Sequence, residues 1–600
     1  MKNYKIKSFL FVAIAILTLT SCGDFLEIEP KTFVSEDNFW NEKTDIDQMV
    51  IGTYVKMQDD AFIRRCIMWG ETRSDNIGEG LNCSDQTDIY RTLREYLQST
   101  NSFASWLSFY SVINQCNTII ERAPEVSQKD PVYTESDVKA TQAEMAFVRD
   151  LCYFYLVRAF KDVPYYTYAI QSDAKAKPIA VTDGDEIVRA LITDLESCAG
   201  DALKAFPKDS DSRFNSSCNR ATQNAIYSLL ADLCLWDGQY DKCVTYAQQV
   251  IDAKLQEYKE KYSNSTSTTG GNVMLFKWDD DEGEGYPLYP CYSGNNFGND
   301  FNEIFGDGNS FESIFELAFT HDGSDSRYLQ NTAVGALYGN YYTSNGNSGK
   351  GFLCCYEEVV TDPGATATNS SNSASRVFDH RYDCRYYTNQ AMEESNTASA
   401  YVSKLVNTTE YFVASSSSTL PFEKLLTGIS IYSSRNWIFY RLTDVMLMQA
   451  EALIERAASD QYSTTDPDAD LKKAFGLIYA VNRRSIMVSS SANSDAATYE
   501  LKISQYVDRA NLRTLCLKER RRELMFEGKR WFDMLRVCHR EGTVDYIKNN
   551  VPSKSGGSVP VNYEALFWPY HKHEIKTNPL LKQKAYYGED DTEGNFSSTK

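Results

Sequence analysis

The stretch ERRRELMFEGKRWFDMLR, residues 519–536, limits the folds open to this chain more than any other part of it. It mixes six Lys or Arg residues with large apolar side chains and with four acidic residues, Glu519, Glu523, Glu527 and Asp533. At helical spacing the basic and acidic side chains can pair while the apolar ones pack into a core. The stretch is therefore predicted to be an ion-paired part of the scaffold, divided at Gly528 into two short helices that meet at an angle.

A nucleic-acid binding site is the alternative interpretation of the same arginines. The chain carries a formal charge of -21 and has a pI of about 4.9. Nucleic-acid binding takes its affinity from cations that are free to neutralise phosphates, and paired arginines are not. The scaffold interpretation is therefore favoured.

Apolar periodicity predicts helices in the first half of the chain. In TQAEMAFVRDLCYFYLVRAFKDVP, residues 141–164, apolar residues recur at steps of three and four, which indicates an amphipathic helix that ends before Pro164. Residues 219–251 have the pattern of a helical hairpin, with Thr222 as a cap, Gly238 as the break, and a second helix that ends at Ile251. The spacing of small and large residues in this hairpin is typical of a tetratricopeptide unit.

A second helix pair is predicted in YRLTDVMLMQAEALIERA and LKKAFGLIYAVNRR, residues 440–457 and 471–484. Such pairs need neighbours to bury their second face, so we expect them to stack into a right-handed array. The middle differs: residues 270–351 hold 14 of the 31 glycines and seven tyrosines, and only VMLFKW and SIFELAF look like short strands. The predicted fold class is mostly α: a helical body with tetratricopeptide-like helix pairs, and irregular loops and a few short strands that form the ligand face.

The N-terminus has the pattern of a lipoprotein signal. Three lysines precede the apolar run FLFVAIAILTLT, which is too short to span a bilayer comfortably. Leu19, Thr20, Ser21 and Cys22 then match a bacterial lipobox, so residues 1–21 are predicted to be removed and Cys22 to carry the lipid anchor. The acidic Asp24 is similar to the surface-export signal of Bacteroidetes lipoproteins.

Fourteen cysteines remain after Cys22, and none form a CxxC pair. Cys116, Cys152, Cys234 and Cys516 lie within apolar periodic runs. They are predicted to be small buried residues rather than ligands. An exported protein can form disulfides, but the spacing assigns none.

A series of motifs resembles the SusD/RagB family of outer-membrane lipoproteins across nearly the whole chain. The motifs are, in order, CGDFLEIEP, SEDNFW, AEMAFVRDLCYFYLVRAFKDVPYY, NRAT, NWIFYRLTDVMLMQAEAL, YAVNRR, LRTLCLKERRRELMFEGKRWFDMLR and ALFWPYHKHEIKTNPLLKQKAYYG. The resemblance implies a SusD-like domain over residues 22–600. Within it we predict an N-terminal part over about 22–254, a loop-rich ligand region over about 255–435 and a C-terminal helical part over about 436–600.

The resemblance also implies a function. SusD-like proteins are lipid-anchored at the cell surface, bind nutrients there, and pass them to a SusC-like TonB-dependent channel in the outer membrane. Their ligands are usually glycans and sometimes peptides, so a glycan receptor is expected and a RagB-like peptide receptor is the alternative. A surface glycoside hydrolase is the competing class, but it would need two carboxylates across a cleft, and the resemblance brings no such pair.

Sugar chemistry suggests where a ligand would bind, because aromatic rings cover the apolar face of a sugar while amide, carboxylate and guanidinium groups bond its hydroxyls. Two loop regions carry these residue types. The first offers Trp69, Arg73, Asp75, Asn76 and Tyr90, and the second Trp278, Tyr286, Tyr289, Tyr292 and Asn295.

No cofactor is expected. The acidic residues Asp279, Asp280, Asp281, Glu282 and Glu284 offer oxygen ligands of the kind that calcium prefers. A solvated acidic loop is the favoured interpretation of this run.

Overall fold

The structure, a computed structural model, describes sixteen ranges of the chain. These are residues 39–80, 82–172, 176–207, 216–262, 273–279, 283–306, 308–319, 330–339, 351–363, 376–393, 396–414, 422–429, 435–461, 469–487, 496–554 and 556–588. Cys22 and the predicted signal segment lie outside them. No helix within them is both long and apolar enough to cross a membrane.

Helices make up most of the described chain and confirm the mostly α fold class. Those of six residues or more are α1 Lys43–Met57, α2 Asp60–Gly70, α3 Thr87–Leu93, α4 Leu107–Lys129, α5 Glu135–Phe160, α6 Gly184–Cys198, α7 Gln223–Trp236, α8 Tyr240–Tyr262, α9 Thr332–Leu337, α10 Leu442–Arg456, α11 Asp470–Arg484, α12 Arg509–Leu524, α13 Arg530–Glu541, α14 Asp545–Asn550 and α15 Lys572–Thr577.

The strands are short and pair antiparallel. They are β1 Ile77–Glu79, β2 Val163–Pro164, β3 Val181–Thr182, β4 Met274–Phe276, β5 Tyr286–Leu288, β6 Tyr292–Ser293, β7 Asn296–Phe297, β8 Ser313–Leu317, β9 Leu353–Cys355, β10 Gln390–Glu393, β11 Asn396–Val402, β12 Asn407–Ala414, β13 Phe422–Ile429 and β14 Trp437–Arg441. One sheet has four strands in the order β13-β12-β7-β6, and the others are pairs. The pair β8–β14, with Trp437 opposite Leu317, lies in the core.

The long helix α5 differs from its prediction in one respect. It ends at Phe160, before Pro164 as expected, but every residue from Ala143 to Phe160 is buried. Neighbours surround it: Phe147 lies 4.9 Å from Phe315 between ring centroids, and Tyr155 lies 5.5 Å from Phe532. The helix is therefore central rather than amphipathic, because elements remote in sequence cover its second face.

A capping box begins α5. The Thr134 hydroxyl accepts a hydrogen bond from the Asp137 N–H at 3.2 Å, and the Asp137 carboxylate accepts one from the Thr134 N–H at 3.0 Å. We expect Thr134→Ala to lower the free energy of unfolding by about 1 kcal/mol, whereas Thr134→Ser keeps the hydroxyl and stays close to the parent. The midpoint of urea unfolding measures both, and equal midpoints for the two variants would show that the cap contributes nothing.

The two predicted helix pairs are confirmed as α7–α8 and α10–α11. Gly238 separates the first pair with a φ of +75°. Thr222 occupies the N-cap of α7, but its side chain makes no capping hydrogen bond, and α8 continues past Ile251 to Tyr262. The pairs lie side by side, with Gln449 of α10 donating a hydrogen bond to the Val244 carbonyl at 3.1 Å. The right-handed sense of the array stays a prediction.

The stretch 519–536 is part of the buried scaffold, as predicted, and forms the end of α12, the turn at Gly528 and the start of α13. Gly528 has a φ of +72°, and a Cβ there would lie 2.9 Å from the Trp437 ring, so the turn requires glycine. The buried Glu71 carboxylate holds this turn by accepting hydrogen bonds from the Phe526 and Lys529 N–H groups at 3.1 and 3.2 Å. Burial raises the pKa of Glu71 to about 7, against the effect of those bonds.

Most ion pairs of this stretch are not the local ones that helical spacing predicts. Arg522 does bond Glu519 at 3.2 Å within α12. Glu523, however, bonds three arginines from other segments: Arg385 at 2.9 Å, Arg441 at 2.6 Å, and Arg484. The stretch therefore joins the C-terminal helices to the rest of the protein through buried charges, and its arginines are not available to a polyanion.

The cysteines of the predicted core positions are buried. Cys116, Cys152, Cys234 and Cys516 are each fully inaccessible, which confirms the prediction for these four. Burial raises the pKa of the Cys116 and Cys152 thiols, as it does for small buried residues with no role as ligands.

Candidate functional site

The first predicted set of ligand residues lies mostly inside the scaffold. The Trp69 ring is fully buried against Phe109 and Phe160, at centroid distances of 4.8 and 5.3 Å, and its Nε1 donates to the Phe103 carbonyl at 2.9 Å. The side chain therefore has no face left for a sugar ring.

The polar members of this set contact α13, which lies more than 450 residues away in the sequence. Arg73 bonds Glu95 at 2.6 Å and lies 4.1 Å over the Trp531 ring. Asp75 accepts two hydrogen bonds from Arg530 at 2.8 and 2.7 Å. Burial alone would raise the pKa of Asp75, but the Arg521 and Arg530 charges outweigh it and lower the pKa to about 2.

Asn76 completes this buried group. Its Nδ2 donates to Glu71 at 2.9 Å, and its Oδ1 accepts from Arg521 at 2.8 Å. The structure thus corrects the prediction for Trp69, Arg73, Asp75 and Asn76. Their polar atoms form hydrogen bonds with other groups of the protein, and their side chains are closed to solvent.

The second predicted set is divided. Trp278 is buried with its ring 4.8 Å from that of Phe475, and Tyr289 is buried with its hydroxyl accepting a hydrogen bond from the Phe311 N–H at 3.3 Å. These two are corrected in the same way. Tyr286 and Tyr292 are half-buried, and Asn295 is exposed at the β6–β7 turn, so these three stay candidates.

The half-buried Tyr90 is the predicted residue that lies in a large open cleft. The cleft has a volume of about 680 Å³, within the range usual for ligand sites. Its described lining consists of Ser84, Thr87, Tyr90, Arg91, Arg94, Tyr96, Gly556, Gly557 and Ser558. None of the other nine predicted ligand residues is among them.

Helix α3 and the turn after it supply the aromatic and basic side of the cleft. Tyr90 and Arg94 are four residues apart on one helical face, so the guanidinium lies 5.1 Å from the ring centroid and donates from Nη1 to the hydroxyl at 2.6 Å. Arg91 lies 5.8 Å from the centroid of Tyr96 and donates from Nη1 to Gln98 Oε1 at 2.6 Å. The rings and guanidinium groups therefore interleave, all of them partly exposed.

A C-terminal loop supplies the opposite side. The Ser558 N–H donates to the Arg94 carbonyl at 3.3 Å. Gly557 lies so close that a Cβ there would meet the Arg94 Cα at 2.5 Å, whereas a Cβ at Gly556 would meet nothing within 4 Å. Glycine thus permits the loop to lie directly against the end of α3.

A second cavity of about 410 Å³ lies beside the cleft, and the two share Thr87. Its described lining carries three aspartates, Asp60, Asp85 and Asp88, against two arginines, Arg64 and Arg65, whereas the cleft is lined by two arginines and no acidic residue. Asp88 accepts hydrogen bonds from the Ser102 N–H and hydroxyl at 2.9 and 2.7 Å. The two cavities therefore differ in charge across one short helix.

The acidic run that offers oxygen ligands, residues 279–284, is only partly described. Residues 280–282 lie outside the described ranges, and Glu284 is ion-paired with Lys259 at 2.6 Å. Within the described ranges, no three His, Cys, Asp or Glu side chains are grouped as metal ligands. The solvated acidic loop therefore stays the prediction, with calcium binding as its alternative.

Comparison with known proteins places both sides of the cleft in one family. A family model described as "Starch-binding associating with outer membrane" matches residues 24–235, and a model described as "SusD family" matches residues 311–587. The chain belongs to the SusD family. The aromatic side of the cleft falls in the first matched region and the glycine loop in the second, so the cleft forms where these two parts of the SusD fold meet. The division into domains predicted from the sequence stays a prediction.

Relatives of similar length match nearly the whole chain. "SusD-like protein P38" of Formosa agariphila is 22% identical over 98% of this chain and 100% of its own length, and "SusD-like protein P2" of the same organism is 24% identical over 90% and 91%. Among solved structures, a "Surface glycan-binding protein A" from Bacteroides uniformis is 16% identical with a TM-score of 0.59, covering 90% of this chain and 99% of its own. A "Laminarin binding SusD-like protein" is 18% identical with a TM-score of 0.56, covering 91% and 100%. These likenesses confirm the SusD-like fold.

Several residues of the cleft escaped the sequence prediction. Arg94 could have been found from its i, i+4 spacing to Tyr90, and Arg91 and Tyr96 from their place beside the same helix. Residues 556–558 carry no such signal, because they are more than 450 residues away in sequence.

Proposed function

We propose that this protein is a non-catalytic receptor that captures glycans at the outer membrane and binds them in the cleft between α3 and residues 556–558. The observation that carries the proposal is the set of partly exposed Tyr90, Tyr96, Arg91 and Arg94 around an open space of about 680 Å³. Tyrosine faces suit the C–H face of a sugar ring, and guanidinium and hydroxyl groups suit its hydroxyls.

Two further observations support glycans as the ligand class. The family description names starch binding, and the names of two solved relatives state that one binds glycan and the other binds laminarin. The described lining of the cleft includes no Asp or Glu. A glycoside hydrolase needs a pair of carboxylates about the scissile bond, so this cleft favours binding over cleavage.

The remaining parts of the proposal concern the setting. We propose that Cys22 carries the lipid that anchors the protein at the cell surface, and that a SusC-like TonB-dependent channel receives the bound glycan. The support is the lipobox at residues 19–22 and the family description, which associates the family with the outer membrane. The receptor itself works without a cofactor in this proposal.

A binding screen tests the function. The soluble form, residues 23–600, is titrated calorimetrically with polysaccharides and with oligopeptides, and each mixture is analysed for products by chromatography. Binding of a glycan without cleavage is the expected result. Peptide binding alone would replace the glycan ligand by a peptide one, and released sugar products would overturn the receptor interpretation.

Removal of the two rings locates the site. We expect Tyr90→Ala with Tyr96→Ala to weaken glycan binding by roughly tenfold or more, since each ring contact is worth about 1 kcal/mol. Tyr168→Ala is the matched control, because this tyrosine is 45% exposed outside the cleft. If Tyr292→Ala with Asn295→Ala weakens binding instead, the site lies at the β6–β7 turn and the cleft assignment is wrong.

A further inference from the structure

The two arginines of the cleft differ from the arginines of the scaffold. In the stretch 519–536, each arginine faces at least one carboxylate, as in the pairs Arg530–Asp75 at 2.7 Å and Arg536–Glu451 at 2.6 Å. Arg91 and Arg94 instead bond neutral groups, the Gln98 amide and the Tyr90 hydroxyl. Among the described residues, neither has a carboxylate partner within 4 Å.

The acidic residues near the cleft are turned to other partners or to the second cavity. Glu95, which lies between Arg94 and Tyr96 in sequence, is paired with Arg73 and its side chain is only 7% exposed. Asp88 bonds Ser102 and lines the second cavity together with Asp85. The described lining of the cleft therefore carries two positive charges and no negative one, on a chain with a formal charge of -21.

The chemistry of these arginines suits an anion. A guanidinium has five N–H donors in a fixed plane and binds carboxylate or sulfate through two of them at once. The described hydrogen bonds occupy one donor group on each of Arg91 and Arg94. Residues three apart on a helix are neighbours on its surface, so both guanidinium groups can reach one anionic substituent of a bound sugar.

We propose that the cleft selects glycans that carry a carboxylate or sulfate group, with Arg91 and Arg94 as the residues that recognise the charge. This inference rests on the proposed function, because it names the substrate class of the same cleft. The negative charge of the whole chain opposes a polyanion at long range, but at physiological ionic strength that field is screened beyond about 8 Å. The two arginines act within that distance of a ligand in the cleft.

Matched pairs of glycans test the selection. Polygalacturonate is compared with its methyl ester, and κ-carrageenan with chemically desulfated κ-carrageenan, so that each pair shares its sugars and differs only in the carboxylate or the sulfate. We expect a charged member to bind at least tenfold more tightly than its neutral partner, with an affinity that falls as NaCl is raised. The pair that shows the difference identifies the anionic group.

Variants assign the selection to the two residues. Arg91→Gln and Arg94→Gln are each expected to weaken binding of the charged glycan by roughly tenfold and to leave the neutral partner almost unchanged. Arg94→Lys keeps the charge but loses the planar guanidinium. Its affinity for the charged glycan is therefore expected to lie between those of the parent and of Arg94→Gln. Arg189→Gln removes the same charge from a side chain that is 59% exposed on α6 and is expected to change nothing.

The outcomes separate this inference from the proposed function. Equal binding of charged and neutral partners, or a preference that survives Arg91→Gln with Arg94→Gln, overturns the inference and leaves a glycan receptor. Absence of binding to every glycan in both this set and the wider screen overturns the proposed function and the inference with it.

Discussion

Replacing Glu523 by alanine is expected to lower the free energy of unfolding by about 3–5 kcal/mol, because the substitution leaves buried arginines without a shared counter-charge. Glu523 is almost fully buried and bonds Arg385, Arg441 and Arg484. Burial alone would raise its pKa, but these guanidinium charges outweigh that effect and hold the pKa of the carboxyl well below its usual range. The carboxylate is therefore charged at neutral pH and is the common partner of three cations.

The midpoint of urea unfolding measures this effect, and a surface ion pair provides the matched control. Asp241 bonds Arg456 at 3.0 Å, but its side chain is 91% exposed, so Asp241→Ala should leave the midpoint close to that of the parent. Glu523→Gln keeps the shape and removes the charge, and should resemble Glu523→Ala more than the parent. A midpoint for Glu523→Ala that equals the Asp241→Ala value would show that the buried cluster does not stabilise the fold.

The same cluster shows how far the sequence predicts the scaffold. The local sequence pattern was sufficient to predict the helices, since the two helices about Gly528 and the α7–α8 and α10–α11 pairs have the predicted order. It was insufficient to predict which residues form the buried ion pairs. Spacing along one helix identifies Glu519 with Arg522, but the bond from Arg530 to Asp75 joins residues 455 positions apart, and the fold alone brings them together.

The candidate site was harder to predict for a related physical reason. A buried ion-pair network and a sugar-binding face use the same residue types, namely arginine, aspartate, asparagine and tryptophan. Exposure separates the two uses, and composition does not report it. Asp75 and Tyr90 were predicted on equal grounds, yet Asp75 is closed in by Arg521 and Arg530 while Tyr90 borders an open cleft.

Lowering the pH from about 4 to about 2 is expected to remove a large part of the stability. Asp75, Glu527 and Asp533 are each fully buried, and burial alone would raise their pKa values. The arginines around Asp75 and Asp533, and Arg441 with Lys404 around Glu527, outweigh it and lower each pKa to about 2. A carboxyl with a lowered folded pKa stabilises the protein above its unfolded pKa, and that contribution is lost as pH falls through the folded value, about 2–3 kcal/mol for each.

The dependence of the urea midpoint on pH tests this sum, because its slope reports how many more protons the unfolded chain binds than the folded one. Glu71 acts in the opposite sense: its raised pKa of about 7 stabilises the fold below the unfolded pKa, and this contribution is lost as pH rises from about 4 to 7. The slope of the urea midpoint between pH 4 and 2 therefore reports the protonation of the ion-paired carboxyls and not that of Glu71.

Asp75→Asn removes one of these carboxyls and should reduce the slope between pH 4 and 2 by about one proton, while Asp241→Asn at the surface should leave it unchanged. Equal slopes for the parent and Asp75→Asn would mean that Asp75 is not held in its charged form by Arg521 and Arg530.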